Sequence, residues 1–376
     1  MNTAETEVQE LNRAAHVVTA VILLSPTGAV QMLEEDQQPG DNNSSTAPIP
    51  TFEGIEINRR ERTINLSSVS TRQKIAFMIT SYRYEDSISE SKIIGGIHLK
   101  SASSKTQFKE RIERYKQGRP IKPLITADLE GCIEPTSKFR DFKSFAEVNT
   151  SEQAFSVGKI QGSFLADIGV DLNFSPVVDL NDSIWGCRAF PGDYKQVSKK
   201  ACSYIQGLHS EGIMATAKHY PGKTLTGKDP HKKMKTVKVS KEDTYPFASA
   251  INCSVDAVMP SHQISSGVMS TSGKPADVSQ ATRNVLRNQG FEGIIVSDAI
   301  SMEGLKGYYD SKTERYVDLF RTNDMILNLV GGKNDTRDMV NTVNQAVKDG
   351  ELDEKHINKS VLRLLKARGW GFMGRS

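Results

Sequence analysis

At 376 residues the chain is long enough to bury a large core, as one big domain or two ordinary ones. Its 48 lysines and arginines nearly balance 45 aspartates and glutamates, and a formal charge of only +3 gives no support for a nucleic-acid binder, which normally concentrates basic surface. Four cysteines (Cys132, Cys187, Cys202 and Cys253) are widely spread without a CxxC pair, so neither a zinc site nor a disulfide framework is suggested, and buried free thiols are expected.

Residues 1–50 read as a flexible N-terminal arm. HVVTAVILL (16–24) is apolar but far shorter than the about 20 residues that a bilayer span requires. Glu5, Glu7 and Glu10 precede it, where a secretory signal would be basic. EEDQQPGDNNSSTAPIP (34–50) follows as a polar, proline-bearing linker with almost nothing to bury. Two settings stay open: a cytoplasmic protein with a loose arm, slightly favoured, and an exported or membrane-attached one.

Residues 51–376 read as one domain. Short apolar runs at 75–80, 95–99, 124–127, 170–174, 213–217, 256–260, 293–297 and 324–329 alternate with longer amphipathic stretches. Such alternation implies βαβ units and a parallel sheet. Eight units in roughly 320 residues fit an α/β fold of the (β/α)8 TIM-barrel type, which needs about 250 plus insertions. A doubly wound open sheet is the alternative, but no GxGxxG follows the first run.

A barrel places its active residues just past the C-terminal ends of its strands. Those positions hold Asp128 after the third run, Lys218 and His219 after the fifth, Ser261 and His262 after the sixth, and Asp298 after the seventh. Each taken alone could equally be a cap or a turn former, and Ser297 or Asp298 could cap the helix-like pattern that follows them. Charged groups converging on one mouth are harder to dismiss.

KHYPGKTLTGKDPHKKM (218–234) turns at Pro221-Gly222 and then stays polar, as a loop over a barrel mouth would. Asp229 and His231 lie two apart, which in an extended segment puts both on one side of the chain. A carboxylate there can hold one imidazole nitrogen, fix its tautomer and raise its basicity, giving a general acid/base. An unrelated loop aspartate and histidine satisfies the same short spacing.

Six segments occur in order across about residues 70–370: LITADLEGCIEP (124–135), GVDLNFSPVVDLN (169–181), CRAFPGDYKQV (187–197), AKHYPG (217–222), AVMPSHQ (257–263) and GFEGIIVSDAISMEGL (290–305). Together they resemble glycoside hydrolase family 3, in its single-domain β-N-acetylglucosaminidase (β-N-acetylhexosaminidase) branch. The resemblance implies a retaining exo-glycosidase that removes terminal β-linked N-acetylglucosamine, with cell-wall fragments as a candidate source. It makes Asp298 the nucleophile that forms a covalent glycosyl-enzyme. It assigns Asp128, Arg188, Lys218 and His219 to the sugar hydroxyls, His231 to the acid/base role and Asp229 to orienting it. No metal or organic cofactor is implied. The expected partner is a carbohydrate and not nucleic acid; no transmembrane span is evident, and the oligomeric state is left open, a monomer being compatible.

Three departures bear on activity. The branch reads KHFPGHGDT where this chain has KHYPGKTLT, so Lys223, Thr224 and Leu225 replace His, Gly and Asp. Thr224 gives up a glycine's access to positive φ, which opens the loop path to change. Pro230 stands inside the dyad and biases Asp229 towards extended angles, and the Gly-Arg expected after ADLEG is Cys132-Ile133. A β-glucosidase or β-xylosidase is the alternative within the family. A weakly catalytic sugar-binding barrel is the alternative that the altered loop favours.

Overall fold

Burial on both faces is what turns an apolar run into a parallel strand, and the chain does this eight times. The computed structural model describes residues 47–82, 92–132, 134–227, 234–329 and 333–373. Its barrel strands are β1 (Ile79–Ser81), β2 (Gly96–His98), β3 (Leu124–Ala127), β4 (Leu172–Asn173), β5 (Met214–Tyr220), β6 (Ala257–Pro260), β7 (Ile294–Ile295) and β8 (Ile326–Asn328). All their residues are buried except the half-buried Met214. Neighbours pair in chain order from β1 to β7, and β8 returns to β1 with Ile326 opposite Ile79 and Asn328 opposite Ser81. The ring closes between β7 and β8 at the parallel bridge from Val296 to Met325. Ser297 reinforces it: its N–H donates to the Met325 carbonyl at 2.9 Å, and its Oγ accepts the Leu327 N–H at 2.9 Å. The expected (β/α)8 barrel is therefore observed.

The helices are α1 (Thr71–Phe77), α2 (Lys105–Lys116), α3 (Ser151–Ile168), α4 (Tyr194–His209), α5 (Lys241–Asn252), α6 (Gln280–Asn288), α7 (Glu303–Lys306), α8 (Lys312–Thr322), α9 (Lys333–Lys348) and α10 (Glu354–Ala367). Side chains of Ser70, Asp193 and Ser240 close capping boxes with Gln73, Gln196 and Asp243, which satisfies the free N–H groups at three helix starts. α2 buries Phe108, Ile112 and Tyr115, one stripe at i, i+4 and i+7 facing the barrel. Between α3 and α4 the backbones come close enough that a Cβ on Gly158 or Gly207 would lie 2.3 Å from a carbonyl oxygen of the other helix. No helix among the described residues is long and apolar enough to cross a membrane.

Three sequence readings need correction. In the run 75–80, Ile75, Ala76 and Phe77 complete α1, because the Ser70–Gln73 capping box nucleates a helix ahead of β1. The fifth strand runs past residue 217 to Tyr220, pairing Lys218 with Met259 and Tyr220 with Pro260 across a register shift. Lys218 and His219 thus lie within the strand. The four cysteines are not free thiols but form two disulfides, Cys132–Cys187 and Cys202–Cys253, with Cα–Cα distances of 5.6 and 5.7 Å. Their partners are 55 and 51 residues apart in sequence and meet because consecutive βα units are neighbours in a barrel.

At the N-terminal end of β8, Asp324 ties β7, α6 and α10 together. Its Oδ2 accepts the Ile295 N–H at 2.9 Å and Arg287 Nη2 at 2.5 Å; its Oδ1 accepts Ser360 Oγ at 2.8 Å, with Arg283 and Arg363 each 3.5 Å away. Burial works to raise the Asp324 pKa, but the three guanidiniums outweigh it and hold the carboxyl below its ordinary value. Asp324→Asn leaves those cations without their counter-charge. We expect a loss of about 3–5 kcal/mol in urea unfolding, and a loss below about 1 kcal/mol would show that the cluster is solvated.

Candidate active site

Four charged side chains form one neutral cluster at the C-terminal ends of β3, β4 and β5. Lys218 Nζ donates to Asp128 Oδ1 at 2.7 Å and also contacts Glu130 Oε1. Arg188 closes the other side, with Nη2 on Glu130 Oε1 at 3.0 Å and Nε on Oε2, a bidentate pairing. The Lys218 and Glu130 side chains are buried and Arg188 is nearly so, whereas Asp128 keeps 33% of its surface exposed, so Asp128 is the member that faces solvent. Burial alone would raise the Asp128 pKa, but Lys218 and His98 outweigh it and hold the carboxyl far below the usual range. Glu130 is likewise held low against burial by Arg188 and Lys218. Lys218, which burial would discharge, is kept cationic by Asp128 and Glu130.

Buried polar partners hold each member in place. Asn173, the last residue of β4, imitates a neighbouring strand: it accepts the Leu129 N–H at 2.9 Å and donates to the Leu129 carbonyl at 3.1 Å, which fixes the 128–130 turn. Asp182 gathers the N–H groups of Ile184, Trp185, Cys187 and Arg188 at 3.2, 2.8, 3.0 and 2.8 Å, and so folds the loop that presents Arg188. The Arg188 guanidinium lies 4.8 Å from the centre of the Trp185 ring. His98 ends β2 with Nε2 3.4 Å from Asp128 Oδ2, its ring stacked 5.4 Å from Phe174. The buried Asp179 stands 3.1 Å from His219 Nδ1 and sets that ring's orientation.

Asp298 follows β7 and stays half-buried at the mouth, with Oδ1 accepting the N–H of Ala299 at 2.7 Å. It caps no helix, and neither does Ser297: α7 begins at Glu303, after Met302. Its negative charge supports the protonated state of both Arg188 and His262. His262, beyond β6, is buried, with Nδ1 2.8 Å from Asp277 Oδ2 and Nε2 donating to the Ala299 carbonyl at 2.8 Å. Burial alone would lower the His262 pKa; Asp277 reverses this and pushes it up to about 9.

The altered stretch after β5 keeps an ordered path up to Gly227. Gly222 and Lys223 take the positive φ angles, 103° and 63°, so Thr224 needs none. Thr224 donates its N–H to Asp179 at 2.7 Å and its hydroxyl to the His219 carbonyl at 3.3 Å. Leu225 is buried beside Val177 and Ala189. Lys235 Nζ donates to the carbonyls of Lys223, Thr224 and Thr226 at 2.8, 2.6 and 2.8 Å, joining the two sides of the loop at its base. Asp229, Pro230 and His231 lie outside the described residues.

Of the anticipated residues, Asp128, Arg188 and Lys218 converge in the cluster, with His219 next to Lys218 and Asp298 close enough to share its field. Sequence reasoning did not single out His98, Glu130, Asp179, Asp182 or Asp277. The strand-end rule would have found His98, the final residue of β2. Asp277 carries no such signal, because it sits in a short 3-10 turn, Ala276–Val278, remote from any strand end.

A sequence profile described as the glycosyl hydrolase family 3 N terminal domain matches residues 61–367. A protein of Hydrogenovibrio crunogenus named beta-hexosaminidase is 31% identical over 227 residues, 58% of this chain and 60% of that protein. One of the same name from Chromobacterium violaceum is 36% identical over 164 residues, 41% of this chain and 45% of that protein. The match thus spans about half the length of these relatives. The solved family 3 β-N-acetylglucosaminidase of Paenibacillus sp. str. FPU-7 shares the fold with a TM-score of 0.71 at 23% identity, over 82% of this chain and 65% of that one. With a profile that runs from ahead of β1 to the end of α10, over a barrel whose mouth brings Asp128, Arg188 and Lys218 together, the chain belongs to glycosyl hydrolase family 3.

Proposed function

We propose that this chain is a retaining exo-acting β-N-acetylglucosaminidase. One observation carries the reading: Asp298, half-exposed at the end of β7, shares the barrel mouth with a charge-neutral cluster whose solvent-facing member is Asp128. The relatives named beta-hexosaminidase support the substrate class.

A terminal sugar presents hydroxyls to Asp128, Arg188, Lys218 and His219. Each of these is held by a buried partner, so little ordering remains when the sugar binds. Asp298 attacks the anomeric carbon and the glycosidic C–O bond breaks, giving a covalent glycosyl-enzyme and a departing alcohol. His231 donates the proton to the leaving oxygen and then takes one from water, with Asp229 orienting its ring. A neutral imidazole repels an anionic acceptor less than a carboxylate does, so phosphate competes with water at the second step. Two disulfides belong to an oxidising compartment, which weighs against a cytoplasmic setting.

Asp298→Asn should abolish turnover of a chromogenic β-N-acetylglucosaminide in a protein with an unchanged melting profile, and a fluoro-sugar inactivator should label Asp298 in the wild type; a label on another carboxylate overturns the assignment. Arg188→Ala removes a charged hydrogen-bond donor worth about 1.5–3 kcal/mol, so kcat/KM should fall roughly 10- to 100-fold. A silent Arg188→Ala would remove Arg188 from the sugar site. His231→Ala should slow poor leaving groups far more than activated phenols, and azide should restore part of the rate as a β-glycosyl azide. Equal loss on all leaving groups without rescue would favour the weakly catalytic barrel, and faster turnover of β-glucosides or β-xylosides would move the substrate class.

A further inference from the structure

His262 and Asp277 take no part in the chemistry proposed above, yet they sit directly behind its reacting carboxylate. Both side chains are 0% exposed, with His262 Nδ1 2.8 Å from Asp277 Oδ2. The other ring nitrogen, Nε2, lies 2.8 Å from the Ala299 carbonyl, an acceptor that has no proton to give. Nε2 therefore carries a hydrogen, and Nδ1 faces a carboxylate. A doubly protonated ring satisfies both contacts at once.

Asp277 is itself fixed from three directions. Its N–H donates to the Ser261 carbonyl at 3.1 Å, and its own carbonyl accepts Thr322 Oγ1 at 2.7 Å and Asn323 Nδ2 at 2.8 Å. A continuous chain of contacts thus runs from the C-terminal end of α8 through Asp277 and His262 to the Ala299 carbonyl. Ala299 is also the residue whose N–H holds Asp298 Oδ1 at 2.7 Å. From the other side, Ser297, the residue before Asp298, is itself held by Met325 and Leu327.

We propose that the buried Asp277–His262 pair is a positioning relay for the nucleophile, holding the Ala299 peptide so that the Asp298 carboxylate is oriented for attack and placing a fixed cation behind it. The proposal rests on the reading of Asp298 as the nucleophile. His262 touches neither sugar nor leaving group in this role and acts through Asp298. The titratable groups that face the pair are Asp298 on the mouth side and the neutral Tyr309 phenol beyond Asp277, and Arg188 faces Asp298.

The underlying reading is tested first, and separately, by wild-type turnover and by fluoro-sugar labelling of Asp298. The relay is then read without turnover, by nitrogen NMR of the His262 ring in the full chain. The expected result is protonation of both ring nitrogens at pH 7.5 and loss of one proton only near pH 9; a singly protonated ring at pH 7.5 overturns the relay. Because this ring holds its proton to about pH 9 when folded and to 6.5 when free, its contribution to stability is complete below 6.5 and is lost as pH rises through 9. The wild-type melting midpoint should fall across that window, and His262→Gln should flatten the fall.

Kinetically, His262→Gln keeps an N–H donor and loses the cation. It should lower kcat by about 10- to 100-fold with little change in KM, to the same extent for activated and poor leaving groups, which a change at the acid/base would not do. The acid limb of its pH profile should move upward, and Asp277→Asn should give a weaker version of the same pattern. Labelling of Asp298 at the wild-type rate in folded His262→Gln overturns the proposal. If His262→Gln does not fold, Asp277→Asn and the wild-type ring titration decide it.

Discussion

A lysine ammonium cannot rest inside a barrel unless anions surround it, and much of the mouth is built to meet that demand for Lys218. Two carboxylates, Asp128 and Glu130, share its charge, and Glu130 in turn requires Arg188. The loops after β3 and β4 are therefore coupled electrostatically to β5. Asn173 and Asp182 supply the backbone hydrogen bonds that let the two loops meet at β5. Removing one member leaves its partners with unmatched charge.

On the proposed function, a neutral cluster of this kind suits sugar recognition. Its charges are already compensated, so a polyol that displaces water from Asp128 has no net charge to neutralise. Charged groups in fixed positions still offer hydrogen bonds stronger than those of neutral groups. Asp298 stays half-buried beside this cluster, and its charge supports the protonated states of Arg188 and His262.

The barrel was legible because parallel strands buried on both faces appear as unbroken apolar runs, and the strand-end rule then pointed to Asp128, Lys218, His219 and Asp298. Arg188 was visible only through resemblance, since it lies far along the loop after β4. Glu130, Asp179 and Asp277 escaped because a buried polar partner looks in sequence like any other acidic loop residue; only the fold supplies the side chain it faces. The change to Lys223, Thr224 and Leu225 keeps an ordered path as far as Gly227. The left-handed residues are Gly222 and Lys223, while Leu225 finds an apolar pocket. Pairing between cysteines was hidden for the same reason as Asp277: contact depends on which βα units are adjacent.

The connectivity of those cysteines has a consequence for how the chain is made. Four cysteines can pair in three ways, and here each bridge joins consecutive members, Cys132 to Cys187 and Cys202 to Cys253, with no crossing or nesting. In chain order, both partners of the first bridge precede either partner of the second. Pairing taken in chain order therefore reaches the native connectivity without any exchange between the two bridges.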